Sequence, residues 1–254
     1  MTAVLKAVPG NPATSRSDEE WRLRRELAAC YRLVAHFKMT DLIFTHISMR
    51  IPGPEHHFLI NPYGLFFDEI TASNLVKIGL DGRAVEPTPH AVNPAGFVIH
   101  SAIHGAREDA HCVLHTHTKA GCAIAAQKGG LLPHNQIGME FYGQVAYHDY
   151  EGIAHDLDEQ KRLVADLGTK PVMILRNHGL LTCGESIPQA FDLMYYLERA
   201  CQTQVNAAAG GAKLRMPPTE VANKTAAQFR NLPYKQKHTE WKAHLRMLDK
   251  LDMS

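Results

Sequence analysis

The sequence is poor in the features that announce a large charged or apolar partner. Its 27 basic and 26 acidic side chains leave a formal net charge of +1 over 254 residues. No field of one sign therefore draws it to nucleic acid or to an anionic membrane surface. No apolar run approaches the roughly 20 residues that cross a bilayer, and the opening stretch "MTAVLKAVPGNPATSRSDEEW" has no continuous apolar segment or cleavage site of a secretory signal. Cysteine is scarce and scattered: Cys30, Cys112, Cys122, Cys183 and Cys201 are odd in number and form no CxxC pair. That argues against a disulfide scaffold and a zinc ribbon, and each reads as a small apolar filler. Repeats, low-complexity tracts and linker-like stretches are missing too. The expectation is a cytoplasmic protein with a small-molecule partner, built as a flexible N-terminus (residues 1–16) and a single domain (residues 17–254).

What is present is an ordinary globular composition, 45% hydrophobic and 21% charged, with an unusual 16 histidines. Ser17 followed by Glu20 is a capping box opening a helix whose apolar residues Leu23, Leu27, Cys30, Tyr31 and Val34 recur at helical spacing. Strands are expected in "IFTHISMRI", "HHFLI", "CVLHTH", "GQVAYHDY" and on both sides of "RNHG". "LVKIGLDGRAV" reads as two short strands joined at Asp81-Gly82. Helices are expected over residues 94–107, after Thr118, in "DEQKRLVADL" and in the long segment following Ser186. Two further charged helices follow Gly210-Gly211, and "NQIGMEFYG" reads as a loop. Interleaved helices and strands predict an α/β protein with a mostly antiparallel or mixed sheet.

Spacing filters the histidines. His115 and His117, two apart at the end of an apolar strand, share a face about 7 Å apart at their Cα atoms. That suits two ligands of one metal, and equally two histidines at a wet sheet edge. His178, fixed by Gly179 in a turn after the strand "VMIL", is the third candidate. Three facial nitrogens leave a position for water or substrate, as in catalytic metal sites, and suit Zn²⁺, with Fe²⁺ or Mn²⁺ as alternatives.

The segments "FVIHSAIHGAREDAHCVLHTHTKAG", "GQVAYHDYEGI" and "ILRNHGLLTCGES", with "HISMRIPG" and "FLINPYGLFFDEITASNLVKI" before them, closely resemble the class II aldolase/adducin family over roughly residues 20–210. The adducin head domain and its bacterial relatives are the nearest pattern. The resemblance implies a three-layer α/β/α fold, a homotetramer, and a divalent metal, commonly zinc, on His115, His117 and His178. It also exposes a departure. The sugar-phosphate aldolases carry an acid/base glutamate nineteen residues before the first metal histidine, and here that position is Gly96. The positions that hold phosphate in those enzymes fall on Pro94, Ala95, His46 and Tyr63, which removes most of the expected hydroxyl and amide donors.

A substitute acid/base is therefore expected elsewhere, with His46, Glu140 and Tyr142 as the candidates. His100 and His104, one helical turn apart, are expected in structural roles. The implied activity is a metal-dependent carbon–carbon lyase acting on a non-phosphorylated hydroxy-carbonyl or hydroxy-acid substrate. Two alternatives are an Fe²⁺-dependent oxidative or decarboxylating enzyme and a non-catalytic adducin-like scaffold that binds the actin cytoskeleton. The chain stops short of the neck and lysine-rich tail through which adducins bind the cytoskeleton, which favours an enzyme. In the tetramer a neighbour's C-terminal segment is expected to complete the site, through Tyr234, Lys237 or Trp241.

Overall fold

The computed structural model describes residues 16–152, 158–232 and 237–252. Nearly all of the expected N-terminal tail, and Tyr234, lie outside them. The first helix, α1 (Asp18–His36), starts where the sequence places it: Ser17 accepts the Glu20 N–H at 3.1 Å, and three acidic residues occupy the first turn. Leu23, Leu27, Cys30, Tyr31 and Val34 are buried along one stripe.

Seven strands form one sheet: β1 (His46–Arg50), β2 (Phe58–Ile60), β3 (Val76–Ile78), β4 (Cys112–Thr116), β5 (Val145–His148), β6 (Val172–Leu175) and β7 (Gly179–Gly184). Their order is β3-β2-β1-β4-β7-β6-β5, and only β5 and β6 pair parallel, so the sheet is mixed. Alternation along each strand splits the core in two. Ile47, Met49, Leu114, Ile174 and Leu180 pack with α1, with α3 (Lys119–Ala125) and with α6 (Ile187–Ala207) on one face. Val113, Met173, Leu181 and Cys183 pack with α2 (Pro94–Ala106) and α5 (Glu159–Leu167) on the other. The result is three layers, α/β/α. No helix among the described residues is long and apolar enough to cross a membrane.

Three details depart from the sequence reading. The strand expected after Asp81-Gly82 is reduced to a single bridge between Ile78 and Ala84. Glu86 explains it, because its carboxylate turns toward Arg16 (2.7 Å) and the fully buried Arg24 (3.4 Å), and Pro87 follows. The 135–143 segment is not a plain loop. It contains α4 (Gln136–Glu140), whose start is capped by Asn135 accepting the Gly138 N–H at 2.7 Å. The C-terminal helices α7 (Thr219–Arg230) and α8 (Thr239–Asp252) are charged as expected, yet α8 buries Trp241 against Phe191, with ring centroids 5.7 Å apart.

One hydroxyl ties α1 to the sheet where the site is built. Tyr31, wholly buried, accepts the N–H groups of Ile47 (2.8 Å) and Asn61 (3.1 Å) on its phenolic oxygen. Tyr31→Phe leaves two buried backbone donors without an acceptor. The expected cost is about 2–4 kcal/mol of unfolding free energy, measurable as a lower urea midpoint with an unchanged slope.

Candidate metal centre

β4 carries His115 toward the α2 face, directly in register with His46 of β1. His117 lies just beyond the strand. His178 arrives from the turn between β6 and β7, where Asn177 takes a positive φ of 56° and the His178 N–H returns to Leu175 O at 3.1 Å. Gly179 is required for close approach, since a Cβ there would stand 2.4 Å from the carbonyl oxygen of Thr116. The three imidazoles converge. His115 Nε2 lies 2.8 Å from His117 Nε2, which lies 2.9 Å from His178 Nε2. Among the described residues this is a histidine set whose ligand atoms all lie within 4.8 Å of one another.

The bonds behind the rings set where their protons lie. His115 Nδ1 sits 2.9 Å from the carbonyl oxygen of Leu180, which can only accept, so the ring proton is on Nδ1. His117 Nδ1 sits 3.1 Å from a carboxylate oxygen of Asp41, with the same consequence. Two Nε2 lone pairs are then aimed at one another, and neither ring supplies a proton to the gap. A cation between the three relieves that repulsion, and the hydrogen bonds to Leu180 and Asp41 are the orienting contacts that metal-bound histidines use. Burial holds His115 well below the usual histidine pKa, reinforced by His178, His117 and His46. Burial and then His117 push His178 down to about 4. Neutral imidazole is the form that binds metal. His115 is buried while His117 and His178 are partly exposed, which opens one side of the cluster to solvent.

Asp41 had no signal in the sequence. It sits between α1 and β1 in a segment where Leu42 (φ 48°) and Thr45 (φ 72°) both adopt the left-handed region, a strained path for side chains of their kind. Tyr150, half exposed, was likewise overlooked; its ring centroid stands 6.4 Å from that of His178.

Of the three acid/base candidates, the chain brings one to the triad. The His46 ring lies 5.1 Å from the His115 ring and fills the space above Gly96. A Cβ built at residue 96 would stand 2.6 Å from His46 Cδ2 and 3.1 Å from its Nε2. An imidazole from the neighbouring strand thus occupies the room that any side chain at residue 96 would need. His100 and His104 hydrogen-bond to β1, as their expected structural roles require.

Glu140 and Tyr142 need correction. They precede β5, whose first residue Val145 pairs with Val172 at the start of β6, whereas His178 follows the end of β6. The sheet therefore separates them from the triad. Glu140 is buried at the opposite end, lining a cavity of about 600 Å³ with Phe141, Gln144, Pro171, Glu185 and Trp241. The expectation that this segment passes near the metal fails within the chain because β5 runs parallel to β6, which puts the residues before β5 beside the start of β6 and leaves His178 beyond its end. Trp241 is also committed to its own core, while Lys237 is exposed.

Residues 25–205 match the family described as Class II Aldolase and Adducin N-terminal domain. The chain belongs to this family. It is similar to the crystal structure of an aldolase II superfamily protein from Pseudomonas syringae: 55% identity, a TM-score of 0.88, and coverage of 92% of this chain and 95% of the other. The structure of an L-fuculose 1-phosphate aldolase from Glaciozyma antarctica is 30% identical with a TM-score of 0.75, covering 93% and 95%. Rat alpha-adducin is 40% identical over 99% of this chain, which spans only 36% of that protein.

Gly96→Ala tests the packing. The added methyl must displace the His46 ring, and overpacking of this kind costs about 1–3 kcal/mol. The expected result is a lower Tm and a His46 ring moved away from His115 in the variant's crystal structure.

Proposed function

We propose that this protein is a divalent-metal-dependent, aldolase-like carbon–carbon lyase acting on a non-phosphorylated hydroxy-carbonyl or hydroxy-acid substrate. The observation that carries the proposal is the meeting of His115, His117 and His178 Nε2 atoms, two of them stripped of protons by the contacts behind their rings. That donor set fits Zn²⁺, and Fe²⁺ or Mn²⁺ after it. A bound ion would supply Lewis acidity, polarising a substrate oxygen and easing the negative charge that develops as the carbon–carbon bond opens.

The chain's own residues supply the rest. In this reading His46, beside His115 and over Gly96, takes up and returns the proton. Tyr150 lies at the exposed side of the triad, where an apolar part of the substrate meets it. The start of α2 offers no hydroxyl to a phosphate: Pro94 and Ala95 occupy its first turn, and the Asn93 side chain is spent on the Ala95 N–H at 3.1 Å. This is what favours a substrate without a phosphate.

Assembly as a homotetramer is part of the proposal. Leu42 and Phe44, both exposed apolar residues, follow Asp41, which backs His117, and give the triad end of the molecule a surface suited to a neighbouring subunit. Light scattering is expected to return four chains per particle, and a monomer would remove this part of the proposal.

The decisive test pairs metal analysis with turnover. Protein purified without added metal is expected to hold about one divalent ion per chain. His178→Ala is expected to lose most of it while keeping its circular dichroism spectrum, because such sites contribute less to folding than structural zinc. Screening hydroxy-carbonyl compounds in air and under nitrogen should give oxygen-independent cleavage. Turnover that requires oxygen would replace the lyase with an oxidative enzyme. Full metal occupancy in His178→Ala would overturn the ligand assignment. A metal-free, inactive wild type would favour the scaffold role for which the likeness to alpha-adducin stands.

A further inference from the structure

Behind His46 runs a line of hydrogen bonds that leaves the metal centre and ends at the main chain. His46 Nδ1 lies 2.7 Å from His100 Nε2. His100 Nδ1 meets Ser48 Oγ at 2.5 Å, and the same oxygen lies 2.7 Å from His104 Nε2. His104 Nδ1 closes the line on the carbonyl oxygen of Ala110 at 3.0 Å. All four side chains are buried, and they come from two elements with matched spacing: His46 and Ser48 two apart on β1, His100 and His104 one turn apart on α2.

The last acceptor sets the direction of every bond. A carbonyl cannot donate, so His104 carries its proton on Nδ1 and presents a bare Nε2. Ser48 must then give its single proton to His104, and its oxygen accepts from His100 Nδ1. His100 Nε2 is left bare and accepts from His46 Nδ1. The lone pair of His46 is thereby assigned to Nε2, the atom beside Gly96.

We infer that Ser48, His100 and His104 are positioning residues that lock His46 in one ring orientation and one tautomer, with its unprotonated Nε2 presented at the metal centre. The lock rests on the reading of His46 as the proton-transfer group, and it adds how that group is held. It is a lock and not a conduit. A proton passed down the line would leave a cation on His104, where burial and the neighbouring Arg50 guanidinium hold the pKa at about 3. Burial likewise holds His100 well below the ordinary histidine value. Burial holds His46 well below that value too, and the line ends on a carbonyl that takes up no proton, so its work is to orient the ring. A carboxylate at position 96 would need no such support, because both its oxygens accept. An imidazole has two unequal nitrogens and must be told which one to present.

The test reads ring nitrogens directly. Full-length, zinc-loaded protein labelled with ¹⁵N-histidine is sedimented for solid-state NMR, with signals assigned through single His→Gln variants. In the wild type, His46, His100 and His104 are expected to show protonated Nδ1 and bare Nε2. Ser48→Ala removes the hydroxyl that joins His100 to His104, and His46 is expected to become a mixture of tautomers. Ser48→Thr, which keeps the hydroxyl, is expected to restore the single form. A wild-type His46 protonated on Nε2, or a single unchanged tautomer in Ser48→Ala, overturns the lock. Should Ser48→Ala fail to fold, the wild-type tautomers decide alone. His46→Gln separates the two ideas: undiminished turnover there, with the wild-type tautomers as stated, would sink the acid/base role and leave the lock standing.

Discussion

A main-chain carbonyl accepts hydrogen bonds and never donates them, and two such oxygens govern this site. Leu180 O fixes the proton of His115, and Ala110 O fixes that of His104 and, through Ser48 and His100, that of His46. Each oxygen is held by the fold. Leu180 belongs to β7, paired beside β4 so that Leu181 stands opposite His115. Ala110 lies in the short connection between α2 and β4, buried, with its own N–H returned to Arg107 O at 3.2 Å. Shifting the β4–β7 register by one residue would turn His115 to the other face of the sheet. The sheet's pairing is thus the device that sets proton positions, and the chemistry inherits its precision from backbone geometry.

The triad could be read from the sequence because each member sits beside a strong local signal. His115 and His117 end an apolar strand, and His178 precedes a glycine in a turn, with family resemblance joining the distant third to the pair. The Ser17 cap and the strand–helix alternation were legible for the same reason: they depend on neighbours in the chain, whereas the Glu20 carboxylate expected to complete a capping box goes to Arg24 and Lys77. Glu140 was misplaced because a loop's path past a sheet edge is decided by what packs beneath it. Here α4 and the strand after it took the carboxylate to the far end. Asp41 was invisible, since nothing distinguishes an orienting aspartate from a surface one until its partner is seen. The Ser48–His100–His104 line was half visible. The two-residue and four-residue spacings match a strand face to a helix face, but only packing shows that the faces meet.

The departure at position 96 also changes meaning once the fold is known. Taken alone, a glycine in place of a glutamate reads as loss of function. Beside His46 it reads as an exchange of one group for another within the same volume, made on the adjoining strand instead of the helix. The two arrangements differ in character. A carboxylate on the helix is short and brings its own charge, whereas an imidazole on the sheet is neutral and depends on three buried partners for its orientation.

That exchange bears on how one arrangement can turn into the other by single substitutions. With His46 in place, any side chain at 96 meets the ring at 2.6 Å, so filling the helix position first costs about 1–3 kcal/mol of overpacking. The other order begins by shrinking residue 46, which leaves a hole beside the histidine triad and strands His100 without its donor. Cavities of that kind destabilise by a few kcal/mol, comparable to much of the reserve of an ordinary domain. The two solutions are therefore separated by a valley, and a lineage holding either one is kept there by stability before catalysis is considered.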